Sequence, residues 1–464
     1  MTKIKKTIFR EYDLRGRVSD EELSSRNCEL IGKGFGTLLA RKKIKNVVVG
    51  YDAREYSPRI KDALIKGIVS TGVNVTEIGQ VLSPIAYFAQ FYLKIKGLAM
   101  VTASHNPNGW SGFKLGYDYA STLLPKEIKE LYKIILEDDY IKGEGQVKNY
   151  KKIIEDYSKN LINKIKIDKP IKVLVNAGNG TAGPIAPSIF ERVGCKVIKH
   201  NCEIDFKFPN HEPNPASTEM LNIMASKVKE TGADIGIGFD GDGDRIGVVD
   251  EKGNIIWPDR FMILLVRQVL KEKPGSKIVF DVKCSKALIE EIEKNKGEPV
   301  MWKTGHSYIK QKAKEIDAAL AGERSGHIFY RHGYFGFDDA IFAALKLLKY
   351  LSNQESSLSE VMKNTPQYFT SPAWQVKCPD EVKYKITDEL VEEFKKEYGK
   401  EKVIDINGAR VNFEDGWGLV RASSNLPHLV LVFESKTKKG LKKIESIFRE
   451  KLSKYPEVSE KWEG

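Results

Sequence analysis

The sequence predicts an α/β protein, with three similar α/β domains followed by a smaller α+β domain at the C-terminus. Three observations predict it. Short β-branched runs recur at VVVGYD (47–52), VLVNAGN (173–179) and KIVFDVK (277–283), each ending in polar or glycine residues as buried parallel strands do. Each is followed by a second strand-like run (VNVTEIG, CKVIKHN, EPVMWKT) and a third (GLAMVT, ADIGIGFD, AALAGE). The third run always opens into a polar loop: TASHNP, DGDGDR or GERSGH. Three βαβαβ units therefore begin near residues 1, 151 and 256.

The elements follow in order. In domain one (1–150) a helix comes after VVVGYD. Ser57 is its expected N-cap and Pro58 lies in its first turn. Ile60, Ala63, Leu64 and Ile68 keep helical spacing, and Gly72 ends it. Domain two (151–255) and domain three (256–368) repeat the pattern. The tail (369–464) differs: strand-like ARVNF and LVLVFES flank an expected loop, DGWGLVRASSNLP, and an amphipathic helix ends the chain. In open α/β sheets chemistry gathers at the carboxyl ends of strands. Three sheets thus aim three loops at one central cleft.

Composition narrows the function. The 464 residues carry a net charge of +12, but much of it lies in Lys/Glu patterns such as KEIKELYKIILEDD, which are solvated helix faces. The basic runs lack the interleaved aromatics of a nucleic-acid binder, so a nucleic-acid partner is not expected. A positive field would steer an anionic small substrate instead. No apolar run approaches the roughly 18 residues of a membrane span, and the basic N-terminus lacks a signal peptide's apolar stretch. Five scattered cysteines form no C-x-x-C pair, which argues against zinc and a disulfide framework. The expected location is the cytoplasm, as a monomer or homodimer.

The loops carry the chemistry. Asp240, Asp242 and Asp244 alternate with glycines. Carboxylates so close repel unless a cation or proton intervenes, and hard oxygen ligands suit Mg2+ or Ca2+. An EF-hand would need glycine where Arg245 stands, so Mg2+ is the reading, with room for one more oxygen ligand. Ser104 can supply it. If Ser104 carries a phosphate, a phosphate oxygen completes the metal shell and Ser104 is a phosphate carrier, with His105 as a positioning or charge-stabilising neighbour. The rival reading, a Ser-His hydrolase, lacks the G-x-S-x-G elbow. In GERSGH, Glu323 and Ser325 could bond adjacent sugar hydroxyls. Lys303 and His306 precede a helix, a candidate anion site. In RASSNLP, Arg421, Ser423, Ser424 and Asn425 offer a second phosphate grip, and Tyr12 and Arg15 sit in FREYDLRG. Taken singly, each motif also has a structural reading: an acidic turn, a tight serine turn, a helix cap, a surface turn.

Together, in this order and spacing, TASHNP, DGDGDR, GERSGH and the late Arg-Ala-Ser loop resemble the α-D-phosphohexomutase family over essentially the whole chain. FREYDLRG, WKTGHS, DVKCS and GWGLVRAS are most similar to its bacterial phosphomannomutase/phosphoglucomutase branch. The resemblance implies mixed sheets between helices in the first three domains, a deep cleft, and a mobile fourth domain. It implies a resting enzyme phosphorylated at Ser104 and a Mg2+ site of Ser104, Asp240, Asp242 and Asp244. Arg15, Lys114 and Arg245 would line the phosphoryl-transfer site, with Lys114 as candidate general base or acid. Tyr12, Lys283, His306, Glu323, Ser325 and His327 would meet the substrate, and Arg421, Ser423, Ser424 and Asn425 the phosphate that is not reacting.

The implied reaction interconverts hexose 1-phosphate and hexose 6-phosphate, of mannose, glucose or both. A hexose 1,6-bisphosphate is both intermediate and activator. The alternatives are a phosphoglucosamine mutase and a Mg2+-dependent sugar phosphatase with a phosphoserine intermediate. Two departures stand out. RASSN exchanges a hydroxyl and an amide between 424 and 425 relative to the usual Arg-Ala-Ser-Asn-Thr, and Arg324 replaces the Met of many relatives, adding charge near the sugar loop.

Overall fold

The computed structural model describes residues 4–463; the outer ends of the first and last expected domains, residues 1–3 and 464, lie outside them. Among the described residues there are sheets of six, five, four and seven strands, in chain order. The first three share a plan. In the first, Asn46–Tyr51 pairs in parallel with Asn74–Gln80 on one side and Gly97–Val101 on the other. In the second, Lys172–Asn176 lies in parallel between Lys196–His200 and Ile235–Phe239. In the third, Lys277–Asp281 lies in parallel between Glu298–Trp302 and Leu320–Gly322.

Each third strand is then met by an antiparallel return strand: Trp110–Gly116, Ile246–Asp250 or Ile328–Tyr330. The sheets are therefore mixed, as expected. Each polar loop is the connection between a buried parallel strand and its return, which holds it at the sheet's carboxyl edge. The second sheet runs on to Ile256, whose strand pairs with Ile246–Asp250.

One hydrophobic core runs continuously through the first three sheets, joining Leu98, Phe239 and Phe280 among others. The fourth sheet has its own, centred on Phe394, Phe433 and Phe448. No helix among the described residues is long and apolar enough to cross a membrane.

Three expectations are corrected. Ser57 is not an N-cap: the helix is Ser57–Val69 and Tyr56 holds the cap position without a side-chain bond. The Ser57 hydroxyl donates instead to the buried Asp52 carboxylate at 2.6 Å, a stronger acceptor than water at a helix end. Most of the expected DGWGLVRASSNLP loop is the strand Gly416–Ala422, hydrogen-bonded along its length to His428–Ser435. Finally, the helix Lys438–Leu452 does not close the chain, since Trp462–Glu463 returns to pair with Trp374–Lys377.

Candidate active site

The three loops and the turn after Arg421 converge on one cleft of about 580 Å3. Its deepest wall is built around Ser104. This residue has φ +50°, a left-handed backbone uncommon outside glycine and concentrated at functional sites. The turn is held from behind by Arg54. Its guanidinium donates to the carbonyls of Ser104 (3.0 Å), Asn106 and Pro107 (3.0 Å), and its Nε lies 3.3 Å from Asp52. Asp52 also accepts from the Ala103 N–H at 3.2 Å, so the Asp52–Arg54 pair clamps the loop on both sides. The Ser104 amide donates to Thr102 Oγ1 at 2.8 Å. The Ser104 hydroxyl, so aimed, donates to Asp240 Oδ2 at 2.7 Å and lies 3.2 Å from His105 Nδ1.

Asp240, Asp242 and Asp244 are fully buried beneath this wall, with one oxygen of each within 4.8 Å of the others. Gly241 allows the approach: a Cβ there would lie 2.4 Å from the Ser104 carbonyl oxygen. Ser83 ties the loop to the first domain through its N–H to the Asp242 carbonyl (2.9 Å) and its hydroxyl to the Asp242 carboxylate. Lys114 reaches in from the return strand and donates to Asp242 (2.7 Å) and Asp244. Burial pushes the Asp240 pKa well above the usual carboxylate range, and Asp244 and Asp242 push it further. Burial also opposes charge on Asp244, but Lys114 and His327 overcome it and hold that carboxyl well below its ordinary value. Asp242 Oδ1 is buried with no hydrogen-bond partner, and Asp244 Oδ1 has only the His327 ring at 3.4 Å. Three hard carboxylates, one with an orphaned oxygen, beside a serine hydroxyl, suit a small divalent cation such as Mg2+.

Arg15 and Arg245 flank this centre. Arg15 donates to the Thr102 carbonyl (2.6 Å) and to Asp13 (3.1 Å); Arg245 Nε lies 3.9 Å from Asp240. Burial, then the charges of Arg245 and Arg15, keep the His105 pKa well below that of free histidine, so its ring is neutral.

A second wall of the cleft belongs to the third sheet. The loops of sheets two and three are joined by a backbone bridge between Arg245 and His327. His327 sits between Glu323 (3.0 Å) and Asp244 (3.4 Å). Burial and Arg245 oppose its charge, yet Asp244 and Glu323 raise its pKa to about 9. Glu323 lines the cleft but is 1% exposed, and it accepts from the Gly305 N–H at 2.6 Å. The half-buried Ser325 is the more accessible of the two. Lys283 stands at the cleft wall, 3.2 Å from Asp281. His306 opens the helix His306–Glu315, with the edge of Tyr12 against it (ring centroids 5.0 Å apart) and Asp13 at 3.4 Å. Lys303 is exposed and stands apart from them. Arg324 lines the same cleft, with its guanidinium paired to Asp259 (3.1 Å) and donating to Thr370 Oγ1 and the Ser371 carbonyl.

On another wall of the cleft, Arg421, the next-to-last residue of the strand Gly416–Ala422, donates to Ser424 Oγ at 3.2 Å. Ser423 Oγ accepts from the amides of Asn425 and Leu426. Lys383 fixes this turn from behind, donating to the carbonyls of Ser423 (2.6 Å) and Leu426 (2.9 Å). The Arg421 Nε donor is buried without a partner. With the Arg421 guanidinium and the Ser423 and Ser424 hydroxyls gathered at it, the turn is suited to a phosphate.

Sequence reasoning missed Asp13, Asp52, Arg54, Ser83 and Lys383. Asp13 stands between Tyr12 and Arg15, and Asp52 ends the first β-branched run, so position was a usable signal for those two, whereas an Arg at 54 looks like any surface turn. Ser83 and Lys383 had none, because their role comes only from tertiary contact.

Comparisons with known proteins agree with this architecture. Models of the α/β/α domains I, II and III of phosphoglucomutase/phosphomannomutase match residues 6–142, 154–253 and 257–369, and the model of its C-terminal domain matches 375–451. A phosphomannomutase/phosphoglucomutase of Pseudomonas putida is 41% identical over 446 residues, covering 96% of this chain and 95% of that protein. A phosphoglucomutase of Neisseria meningitidis is 37% identical over 462 residues, covering 99% of each. The crystal structure of a phosphoglucomutase/phosphomannomutase family protein from Burkholderia thailandensis superposes with a TM-score of 0.90 at 35% identity, covering 98% of this chain and 99% of that one. With four domain models matched in order and relatives aligned nearly end to end, the chain belongs to the phosphoglucomutase/phosphomannomutase family.

Proposed function

We propose that the protein is a phosphohexomutase interconverting the 1- and 6-phosphates of mannose and glucose through phosphorylated Ser104 and a hexose 1,6-bisphosphate. The observation that carries this reading is that one cleft holds both Ser104, facing three buried aspartates, and a second anion pocket at Arg421. A phosphatase needs only the first. A mutase needs both, because its intermediate carries a phosphate at each end. The four domains are assigned as 1–150, 151–255, 256–368 and 369–464.

Phosphoserine 104 gives its phosphoryl group to the free hydroxyl of the bound sugar phosphate, and the bisphosphate turns over. The other phosphate then returns to the serine. Asp240, Asp242, Asp244 and a phosphoserine oxygen would hold Mg2+, which when bound neutralises charge on the transferring group. The clamp at Asp52–Arg54 keeps Ser104 in its left-handed turn, ready for attack without reorganisation. Arg15 and Arg245 orient the phosphoryl oxygens, and Lys114, whose charge burial opposes but Asp242 and Asp244 sustain with a raised pKa, acts through Nζ as a hydrogen-bond donor rather than a base. Tyr12, Lys283, His306, Ser325 and His327 meet the ring, with Glu323 fixing His327 and the Gly305 turn. Arg421, Ser423, Ser424 and Asn425 hold the phosphate at rest.

The test is isomerisation of mannose 1-phosphate, glucose 1-phosphate and glucosamine 1-phosphate with Mg2+ and trace glucose 1,6-bisphosphate, beside Ser104→Ala. Turnover of the first two, abolished by the substitution, is expected. Preference for the aminosugar would move the substrate, and release of inorganic phosphate without isomerisation would overturn the reading.

A further inference from the structure

One side chain at the rim of the cleft joins three domains and has no part in the chemistry above. Glu11, on the first domain, accepts hydrogen bonds from two tyrosines: Tyr308 of the third at 3.1 Å and Tyr384 of the fourth. Its neighbour Arg10 pairs with Asp380 of the fourth domain at 3.4 Å. Asp380 also pairs with Lys383 at 2.6 Å, the residue that shapes the phosphate turn through Ser423 and Leu426. The segment that tethers domain four to domain one is therefore the segment that builds the second anion pocket. The cluster lies beside the cleft that holds that pocket, since Tyr12 and Arg421 both line it. Tyr12 lines the cleft and packs edge-on against Tyr308, with ring centroids 5.6 Å apart.

We propose that Glu11, with Tyr308, Tyr384 and the Arg10–Asp380 pair, is a latch that closes domain four onto domain one and retains the bisphosphate between the two transfers. This rests on the mutase reading. In the first transfer phosphoserine becomes serine and the sugar gains its second phosphate; in the second the serine regains one. A bisphosphate lost between them leaves an enzyme without its phosphate, inactive until another bisphosphate binds. Partly exposed hydrogen bonds and ion pairs of this kind are individually weak, so the latch holds for a turnover and still opens for product.

The experiment follows glucose 1-phosphate conversion by Ser104-phosphorylated enzyme without added bisphosphate, for wild type, Glu11→Ala and Tyr384→Phe. Wild type is expected to keep a steady rate. Glu11→Ala, which removes both tyrosine hydrogen bonds, is expected to release about tenfold more bisphosphate per turnover, and Tyr384→Phe, which removes one, about threefold more. Their rate should decay and be restored by added glucose 1,6-bisphosphate, with unfolding temperatures near wild type. Steady variant rates, or a loss that added bisphosphate does not restore, would overturn the latch. Wild-type enzyme that makes no glucose 6-phosphate would overturn the mutase reading and the latch with it.

Discussion

Ser104 is the residue on which the proposed chemistry turns, and its geometry is imposed by neighbours rather than by its own preference. A non-glycine residue at φ +50° costs about 1–3 kcal/mol unless its surroundings hold it there. Arg54 does most of the holding, with its donors on three carbonyls of the turn and the Phe208 ring 5.0 Å away. Arg54→Met keeps the stem and removes the donors. It should lower kcat about 10- to 100-fold, the rate equivalent of that strain, with KM for the sugar phosphates little changed; steady-state kinetics would check this. An unchanged kcat would mean the loop holds itself. Ser104, Asp240 and Arg421 are legible in the sequence because their loops interrupt apolar runs. Arg54 is not, since an Arg after an Asp at a strand end looks like any surface turn. Arg324 suggests a charge near the sugar loop and does line the cleft, but residue type alone does not reveal its partners, which are Asp259 and the start of domain four at Ser371.

At the scale of elements, the alternation of β-branched runs and polar loops exposes the parallel strands, but not what glycine does inside elements. Gly32 and Gly67 lie where the helices Ser25–Arg41 and Ser57–Val69 cross. A Cβ at 67 would sit 2.1 Å from the Glu29 carbonyl oxygen, and one at 32 would sit 2.2 Å from that of Leu64. Gly67→Ala sets two effects against each other. Intrinsic helix propensity gains about 1 kcal/mol, while a clash with backbone forces the helices apart at about 1–3 kcal/mol. No rotamer change relieves a clash with a carbonyl, so overpacking should win. Thermal unfolding should show a lowered midpoint, and a raised one would contradict the packing account. The same property explains why the strand Gly416–Ala422 looks like a loop in the sequence. Its Gly-Trp-Gly suggests a turn, but Gly418 is small because Phe448 packs directly on it, 2.4 Å from where a Cβ would lie. Glycine as a spacer and glycine as a turn former look identical in one sequence.

At the scale of the whole molecule, Ser104 and Arg421 line one cleft, and the second of the two proposed anion sites is built by the fourth domain. That domain is docked on the third by Arg410, which stacks on Trp417 (3.6 Å) and donates to the carbonyls of Val282 (2.6 Å) and Cys284 (2.8 Å). Glu434 bonds both Trp417 Nε1 and the Lys286 N–H across the same interface. None of this is visible in the chain, because packing between domains leaves no periodic signature. The repeated α/β plan and the convergence of loops are legible, since both follow from strand polarity. The central claim is that Ser104 passes its phosphoryl group to a sugar phosphate rather than to water. The most direct measurement is a single turnover of enzyme carrying 32P at Ser104, mixed with excess glucose 6-phosphate and Mg2+. The account predicts that the label appears first in glucose 1,6-bisphosphate and then in the glucose monophosphate pool. Label appearing as inorganic phosphate, with none in sugar, would contradict it.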